Sequence, residues 1–447
     1  MRGVRGLRFV CIVALGCIAL AGPSTASAAT AWCGNDSLST DRPDTVGGRK
    51  WHVIYAIPSD GADRFAATAP RIVTDLGAIV AWWLREDATR APRFDLSAFP
   101  GCGTAIGNLD LSFVRLPQPA SGYATAAVRL GALARDLAGA FHESSKKYVV
   151  YYDGPVADER ICGSAVGVQT PNVGGAYAVA GIYMQYRPDL SGCGAVGDEG
   201  YAAATTAHEM LHMIGVAPQG APHACAGDTG HICDGDTDLM APSGNSPYLR
   251  EYALDVGRDD YYGHAGSWWD AQDSPWLANT TMPDRRLSVE IVGGTGGESV
   301  SAATGGIECP SACSLAWAGG DSVSLAAKAG DRSRFLRWEG ACTGDAECTV
   351  TMDGDKGIRA VFGRASALLR IAVVGRGTVA SAATGACRGS CRREVTADAR
   401  VQLRASAARG WRFAGWNGAC AASKLRPRCT VTMSAARTVG ARFVRKR

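Results

Sequence analysis

The last third of the chain contains the same sequence pattern twice, and this repetition constrains the fold more than any other feature. SAATG occurs at 301–305 and again at 381–385, while CTVTM occurs at 348–352 and at 429–433. The copies lie 80 and 81 residues apart, which is too long for a thin solenoid repeat and suits two tandem domains. Short alternating apolar runs separated by glycines predict β-strands in hairpins. We therefore expect two small all-β domains, at 287–363 and 368–447.

Both copies resemble the divergent internalin-type B repeat of bacterial surface and secreted proteins. The resemblance rests on a W-x-G-x-C turn and a later strand that closes on phenylalanine. These are Trp338–Cys342 with Phe362 in the first copy, and Trp416–Cys420 with Phe443 in the second. The resemblance implies all-β modules that serve adhesion or spacing and carry no catalytic site.

The cysteines indicate an exported protein. Arginines, then an apolar run, then Ala26-Ser27-Ala28 predict a signal peptide at 1–28. Fourteen of the 16 cysteines follow it, and in an oxidising compartment they favour disulfides over metal-binding thiolates. The protein is expected to be secreted or extracellular, with cell-surface association as a variant. Local spacing suggests five pairs and leaves Cys33, Cys102, Cys162 and Cys193 unassigned: Cys225–Cys233, Cys309–Cys313, Cys342–Cys348, Cys387–Cys391 and Cys420–Cys429.

Charge is distributed very unevenly. From Arg364 onward, 18 Lys and Arg face two acids, a net charge of +16, while the rest of the chain carries −12. A basic second repeat could attract an anionic cell-wall or surface polymer. The alternative is an arginine-rich composition that serves solubility alone. We predict no specific nucleic-acid partner, and a monomer.

The front segment, 30–283, alternates predicted strands with predicted helices. This order indicates a mixed sheet with crossover connections, so the expected class is α+β, with the two β domains behind it. The predicted strands are Lys50–Pro58, Leu109–Leu116, Lys146–Gly154 and Ala176–Tyr186, and the predicted helices are Phe65–Arg85, Ala126–Phe141 and Tyr201–Ile214.

The last of these helices carries H-E-x-x-H. His208 and His212 are four residues apart and share one helix face, so their imidazoles can hold one divalent ion, predicted to be zinc. Glu209 projects beside them and is the predicted general base. The alternative is a pair of unrelated surface histidines.

A catalytic zinc commonly has three protein ligands, and the third is ambiguous here. Gly215 is expected to turn the chain sharply after the helix. His223 is preferred because zinc favours imidazole and this residue closes the shorter loop, and His231 is the second candidate. An aspartate is the third choice, and the same acidic run could bind calcium. The carboxylates concerned are Asp228, Asp234, Asp236 and Asp238.

The segment His208–Gly215, followed by Asp-Leu-Met ending at Met240, resembles the metzincin clan of zinc endopeptidases. It is still more similar to secreted bacterial metallopeptidases with a longer loop, in which A-P-H (Ala221–His223) and G-H-x-x-D (starting at Gly230) precede that methionine. The resemblance covers about 51–277. In metzincins the third ligand follows the glycine by three residues, where this chain has Pro218, which has no donor atom.

This second resemblance implies zinc-dependent hydrolysis of peptide bonds in a protein or peptide substrate. It implies Met240 as the Met-turn residue beneath the metal, and a cleft roofed by the strand near 176–186. Tyr261 or Tyr262 is either a hydrogen-bond donor to the reaction's oxyanion or a partly buried aromatic residue. The alternatives are a surface adhesin whose zinc domain is not catalytic, and a zinc hydrolase acting on a non-peptide amide.

Overall fold

The structure is a computed structural model, and it describes residues 31–34, 39–104, 106–157, 161–165, 173–185, 193, 200–216, 220–228, 230–242, 246 and 248–446. The predicted signal peptide, Pro218 and Tyr186 lie outside these residues. Within the described residues, no helix has the length and apolar character needed to cross a membrane.

The front part of the described chain is an α+β domain, as predicted. Its five-stranded sheet has the order β5-β1-β6-β8-β7, in which only the edge strand β7 runs antiparallel to its neighbour. The elements are β1 (Lys50–Ile57), α1 (Phe65–Glu86), β2 (Arg90–Pro92), β3 (Leu96–Ser97), β4 (Asn108–Leu109), β5 (Leu111–Arg115), α2 (Ala126–Leu137), β6 (Lys146–Tyr152), β7 (Gly163–Ala165), β8 (Val179–Tyr183), α3 (Tyr201–Met213) and β9 (Leu277–Asn279).

Helices cover both faces of this sheet. Val53 and Tyr55 of β1 belong to the core formed with α1 and α3, while Ile54 and Ala56 belong to the core formed with α2. All eight residues of β1 are buried, as expected for a parallel strand packed on both sides. The two faces therefore support α3 on one side and the α2 layer on the other.

Each predicted helix and strand has an observed counterpart, but helix α2 and strand β8 are shorter than predicted, and the predicted strand Leu109–Leu116 is divided between β4 and β5. α2 ends at Leu137 and not at Phe141, and residues 138–140 form a turn in which the Ala140 N–H donates to the Leu137 carbonyl. Phe141 then packs against Tyr148 of the sheet, with ring centroids 5.8 Å apart. Phe141, which the apolar pattern assigned to the helix, instead packs against the sheet. The sequence reasoning missed the short strands β2, β3, β7 and β9.

The two C-terminal repeats are β-sandwiches of two four-stranded sheets each. The sheet orders are β13-β10-β17-β15 and β12-β11-β14-β16 in the first, and β21-β18-β25-β23 and β20-β19-β22-β24 in the second. The strands of the first are β10 (Arg285–Gly293), β11 (Ser299–Ala302), β12 (Glu308–Cys309), β13 (Ser314–Trp317), β14 (Ser322–Lys328), β15 (Ser333–Gly340), β16 (Cys348–Thr351) and β17 (Lys356–Arg364). Those of the second are β18 (Ser366–Val374), β19 (Gly377–Ser381), β20 (Gly385–Cys387), β21 (Ser390–Thr396), β22 (Arg400–Ala407), β23 (Trp411–Gly418), β24 (Arg428–Thr432) and β25 (Arg437–Arg445).

The first repeat packs directly against the front domain. Val46 forms a parallel bridge with Ala316 of β13, and both are buried with Leu96 in a small apolar cluster. Gly47 lies so close to the Trp317 ring that any side chain at position 47 would overlap it. The front domain and the first repeat therefore share a small apolar seam.

Seven disulfides join cysteines of the described chain. They include each of the five pairs that local spacing suggested. The four unassigned cysteines pair as Cys33–Cys102 and Cys162–Cys193. These two bridges join residues 69 and 31 positions apart, so spacing alone did not identify them.

Candidate metal centre and catalytic cleft

Helix α3 places two histidines and a glutamate beside one cleft. Its alanine-rich sequence favours a helix. Ala203, Ala207 and Met210 are fully buried in the core beneath the sheet. Gly215 follows the helix with φ +90°, the left-handed conformation expected at its end.

The two helix histidines face each other. The Nε2 atoms of His208 and His212 are 3.1 Å apart. Both side chains also approach His231, whose ring centroid lies 5.3 Å from that of His208 and 5.1 Å from that of His212. One ring nitrogen from each of the three residues falls within 4.8 Å of the other two. The three imidazoles form one cluster, named here the histidine cluster.

Hydrogen bonding fixes the tautomer of His208. Its Nδ1 lies 2.6 Å from the carbonyl oxygen of Leu239, which can only accept, so Nδ1 donates its hydrogen. The lone pair of His208 is then on Nε2, facing the cluster. Burial lowers the pKa of His208 to about 4 and that of His212 to about 2, so both imidazoles are neutral at pH 7.

The structure places the preferred third histidine away from the other two. His223 lies outside the histidine cluster, and its backbone N–H and Nδ1 both bind Asp260, at 2.8 and 2.9 Å. Its side chain is 43% exposed, and it groups with Asp234, Asp259 and Asp260. The hydrogen bond to Asp260 raises the pKa of His223. The shorter loop was a weak reason for choosing His223, because the entropy of loop closure rises only slowly with length.

A disulfide-closed hairpin delivers His231, the second candidate from the sequence. Cys225 and Cys233 form the bridge, and Ala224 pairs with Ile232 across the hairpin. The Ile232 N–H also donates to the Met240 carbonyl at 3.0 Å, which ties the hairpin to the loop beneath it. Asp228 Oδ1 lies 2.9 Å from His231 Nδ1, within ion-pair distance, although the angle is not that of a hydrogen bond.

Glu209 lies beside the histidine cluster in a buried position. It is 5% exposed, and its Oε2 has no hydrogen-bond partner within the described residues. Burial raises its pKa to about 8. Gly163 of β7 lies against it: a Cβ there would be 2.8 Å from both Cγ and Oε1 of Glu209. The missing side chain at position 163 is what lets the strand approach the carboxylate.

A cleft of about 620 Å³ opens onto this group of residues. Strand β7 forms one side, and residues after the helix form the other, including Pro242 and Tyr252. The sequence placed the strand near Ala176–Tyr186 over the cleft, and this was wrong. The corresponding strand, β8, lies inside the sheet between β6 and β7, so the edge position belongs to β7.

Met240 and the two candidate tyrosines serve the core around this cleft. Met240 is fully buried, and its N–H donates to Asp238 at 2.7 Å. The Tyr261 hydroxyl also donates to Asp238, at 3.0 Å, and the Tyr262 hydroxyl donates to Asp87 at 2.9 Å. Both tyrosines are buried and already bonded, which fits the reading as core aromatics.

The acidic run does not converge on one point. Asp228 contacts His231, and Asp234 lies beside His223. Asp238 is buried and accepts hydrogen bonds from the Met240 and Val256 N–H groups. These three carboxylates have three separate roles, and calcium binding stays a prediction.

Comparison with known families bears on the C-terminal part. Residues 298–366 and 377–447 match the family described as the divergent InlB B-repeat domain. The chain ends in two divergent InlB B-repeat domains. The sequence resemblance to internalin-type repeats is thereby confirmed. The first match begins after β10, although β10 pairs with β13 and β17 in the same sheet.

Other comparisons say less. No curated protein matches the chain. Among solved structures, the Bacillus anthracis TIE protein is similar at 8% identity and TM-score 0.23, over 37% of this chain and 34% of that one. This chain thus spans about a third of that structure. Two crystal structures of wild type OgpA from Akkermansia muciniphila are 13% identical, with TM-scores 0.24 and 0.25. They cover 83% and 93% of this chain, and 92% and 100% of OgpA. TM-scores of this size do not establish a shared fold.

Several disulfides together with InlB B-repeat domains indicate an extracellular or cell-surface protein. Two contributors to the cleft escaped the sequence reasoning. The Leu239 carbonyl carries no side-chain signal, and Gly163 lies in a three-residue strand too short for periodicity to reveal.

Proposed function

We propose that the chain is a secreted zinc-dependent endopeptidase that hydrolyses peptide bonds in a protein or peptide substrate. The observation that carries the proposal is the histidine cluster beside a buried carboxylate, Glu209, whose Oε2 has no hydrogen-bond partner among the described residues, with both open to one cleft. The metzincin-like sequence supports the same assignment. The two InlB B-repeat domains would hold or space the enzyme outside the cell.

The donor set suits zinc. Two nitrogens bound to a tetrahedral zinc at about 2.0–2.1 Å lie roughly 3.3 Å apart. The 3.1 Å between the Nε2 atoms of His208 and His212 is close to that value. Neutral imidazoles favour zinc over calcium or magnesium, which prefer oxygen. His208, His212 and His231 would hold the ion and leave a fourth position open to the cleft. Zinc in such a site supplies Lewis acidity, which lets a water molecule ionise near neutral pH.

Glu209 performs the proton transfers in this proposal. Its carboxylate accepts the proton of the attacking water, and the same group then donates it to the nitrogen of the leaving amine. Burial raises the pKa of Glu209 to about 8, which makes the carboxylate a stronger base, and a divalent cation held beside it would lower that pKa and favour the ionised form near neutral pH. A carboxylate that readily takes up a proton and releases it to an amine suits both steps.

Strand β7 offers a way to hold the substrate. It is the edge of the five-stranded sheet and lines the cleft, so its outer backbone groups face the space where a substrate would lie. An extended peptide can add to such an edge as a further strand. The side chains here are small, Gly163, Ser164 and Ala165, and leave room for a main chain next to Glu209.

The decisive experiment compares wild-type protein with Glu209→Gln. Zinc content is measured by metal analysis, and cleavage is measured on casein and on a peptide library. Glu209→Gln is expected to keep stoichiometric zinc and to lower kcat/KM by about 10²–10⁴-fold, the usual contribution of a general base. Glu143→Gln, at a largely exposed position, serves as the matched control and should leave cleavage unchanged.

Two outcomes contradict the proposal. Zinc-loaded wild-type protein that cleaves no peptide would favour the adhesin with a non-catalytic zinc domain. Full activity in Glu209→Gln would remove the general base from the mechanism.

A further inference from the structure

The outer faces of the two InlB B-repeat domains differ in how their arginines are placed. In the first repeat an arginine lies next to glutamates, and in the second repeat arginines lie opposite each other. In the first repeat, Arg359 of β17 lies between two glutamates on neighbouring strands. Its Nε donates to Glu290 at 3.0 Å and its terminal nitrogen donates to Glu339 at 2.9 Å. The positive charge of Arg359 is balanced within the domain.

Strand register identifies the same three positions in the second repeat. Val289 pairs with Ile358 in the first repeat and Ile371 pairs with Val439 in the second, which aligns the two sheets. The positions of Glu290, Arg359 and Glu339 are then taken by Ala372, Gly440 and Asn417. The carboxylates that balance the first face are therefore missing from the second.

New arginines take the place of neutral residues on this face. Ser288 and Ser314 lie opposite each other in the first repeat and hydrogen-bond at 2.9 Å. The same register puts Arg370 directly opposite Arg392 in the second repeat, and both are exposed. Like charges directly opposite each other destabilise a sheet.

No carboxylate of the described chain lies within ion-pair distance of Arg370 or Arg392. Glu394 is on the same strand as Arg392 but accepts a hydrogen bond from Ser366, at 3.1 Å. The arginine pair thus remains uncompensated, although each repeat has the same scaffold.

The second sheet of this domain repeats the arrangement. Leu325 pairs with Cys348 in the first repeat, and Leu403 pairs with Cys429 in the second. One residue further along, Arg404 lies directly opposite Arg428, and both are exposed. The corresponding residues of the first repeat are Ala326 and Glu347. Each face of the second sandwich therefore presents one arginine pair.

We propose that the second InlB B-repeat domain binds a flexible extracellular polyanion whose charges are phosphate groups, and that the polymer contacts both faces of the sandwich. Sixteen of the 18 basic residues from Arg364 onward are arginine, whose planar guanidinium binds phosphate through two parallel hydrogen bonds. A planar membrane can reach only one face of a sandwich. A flexible chain can reach both, and it relieves the repulsion within each pair.

The test uses the full-length protein and long-chain inorganic polyphosphate as the probe. Affinity is measured by fluorescence anisotropy between 50 and 300 mM salt. One variant, Arg370→Ser with Arg392→Ser, restores the serine pair of the first repeat. A second, Arg404→Ala with Arg428→Glu, restores the other first-repeat residues. Arg286→Ser with Arg334→Ser removes two exposed arginines from the first repeat and is the matched control.

Each second-repeat variant is expected to weaken binding at least about tenfold at low salt. Each should also lower the slope of log affinity against log salt by about 1–2, since each phosphate contact of a single strand contributes about 0.7. The control should stay within twofold of wild type. Polyphosphate should also raise the melting temperature of the wild-type second repeat, since it binds the folded state.

Three results overturn the proposal. An equal loss in the control would reduce the effect to overall charge. An effect of only one arginine pair would exclude contact with both faces. Tighter binding to vesicles of anionic phospholipid than to polyphosphate at equal phosphate concentration would assign the surface to a membrane.

Discussion

The Nδ1 atom of His208 donates its hydrogen to the carbonyl oxygen of Leu239, 2.6 Å away. Leu239 immediately precedes Met240, so the loop that carries Met240 fixes the ring of a candidate ligand through its backbone. This contact leaves Nε2 of His208 free to face His212. A backbone carbonyl performs this role whatever the side chain at position 239, so it survives substitution there.

The first prediction concerns the third ligand. His231→Ala should lower zinc stoichiometry or weaken zinc binding by several orders of magnitude, because one of three imidazoles is lost. His223→Ala should keep one zinc per chain, since His223 contacts Asp260 and lies outside the histidine cluster. Metal analysis after dialysis against a weak chelator measures both. Loss of zinc in His223→Ala with retention in His231→Ala would reverse the assignment.

The second prediction concerns the carboxylate behind His231. Asp228→Asn should weaken zinc binding about 10- to 100-fold, the usual effect of removing a carboxylate that orients a histidine ligand. Asp236→Asn changes an exposed aspartate of the same loop and serves as the control. Competition with a chromophoric chelator gives both affinities. Equal affinities in the two variants would show that Asp228 has no orienting role.

The third prediction concerns the close approach of β7 to Glu209. Gly163→Ala places a methyl group 2.7 Å from Thr205 Cγ2 and 2.8 Å from Oε1 of Glu209, so the strand or these helix side chains must shift. We expect kcat to fall about 10- to 100-fold, since small misplacements of a catalytic group are costly, with zinc content unchanged.

Gly131→Ala is the matched control for Gly163→Ala. Gly131 lies in α2 with open space around it, and alanine there should stabilise the protein by about 0.5–1 kcal/mol without affecting cleavage. Wild-type kcat in Gly163→Ala would mean that the strand tolerates a side chain and does not position Glu209.

The sequence predicted the parts of the candidate site that depend on neighbouring residues, and it did not predict the parts that depend on contacts between distant segments. Helix α3, its two histidines and the glycine bend follow from local rules: spacing, alanine content and a left-handed glycine. The choice between His223 and His231 depends on the Cys225–Cys233 hairpin and on Asp260, a contact partner 37 residues away from His223. Such contacts arise only from tertiary packing, and the spacing of apolar residues along the sequence does not predict them.

The fourth prediction concerns pH and Glu298 in the first repeat. Hydrogen bonds from Ser333 and from the Thr295 and Gly296 N–H groups lower the pKa of Glu298 to about 2, from 4.5. A carboxylate with a lowered pKa stabilises the fold above its unfolded value and loses that effect as pH falls toward the folded value. Glu298→Gln should therefore melt below wild type at pH 6, and the gap should close between pH 4.5 and 2.

Calorimetry of the full chain across this pH range measures the gap for Glu298. Glu347→Gln, at an exposed position in the same repeat, should melt like wild type at every pH. If the difference in melting temperature between wild type and Glu298→Gln stays constant from pH 6 to pH 2, the effect of Glu298 does not come from its ionisation and the prediction is wrong.

The disulfides differ greatly in the length of chain that they enclose. Five of the seven in the described chain join cysteines only 4 to 9 positions apart. A thiol so near its partner meets it far more often than it meets any distant one, so we expect these five bonds to form first in an oxidising compartment. Incorrect pairing should then be concentrated on the four cysteines that are joined over 69 and 31 residues: Cys33, Cys102, Cys162 and Cys193.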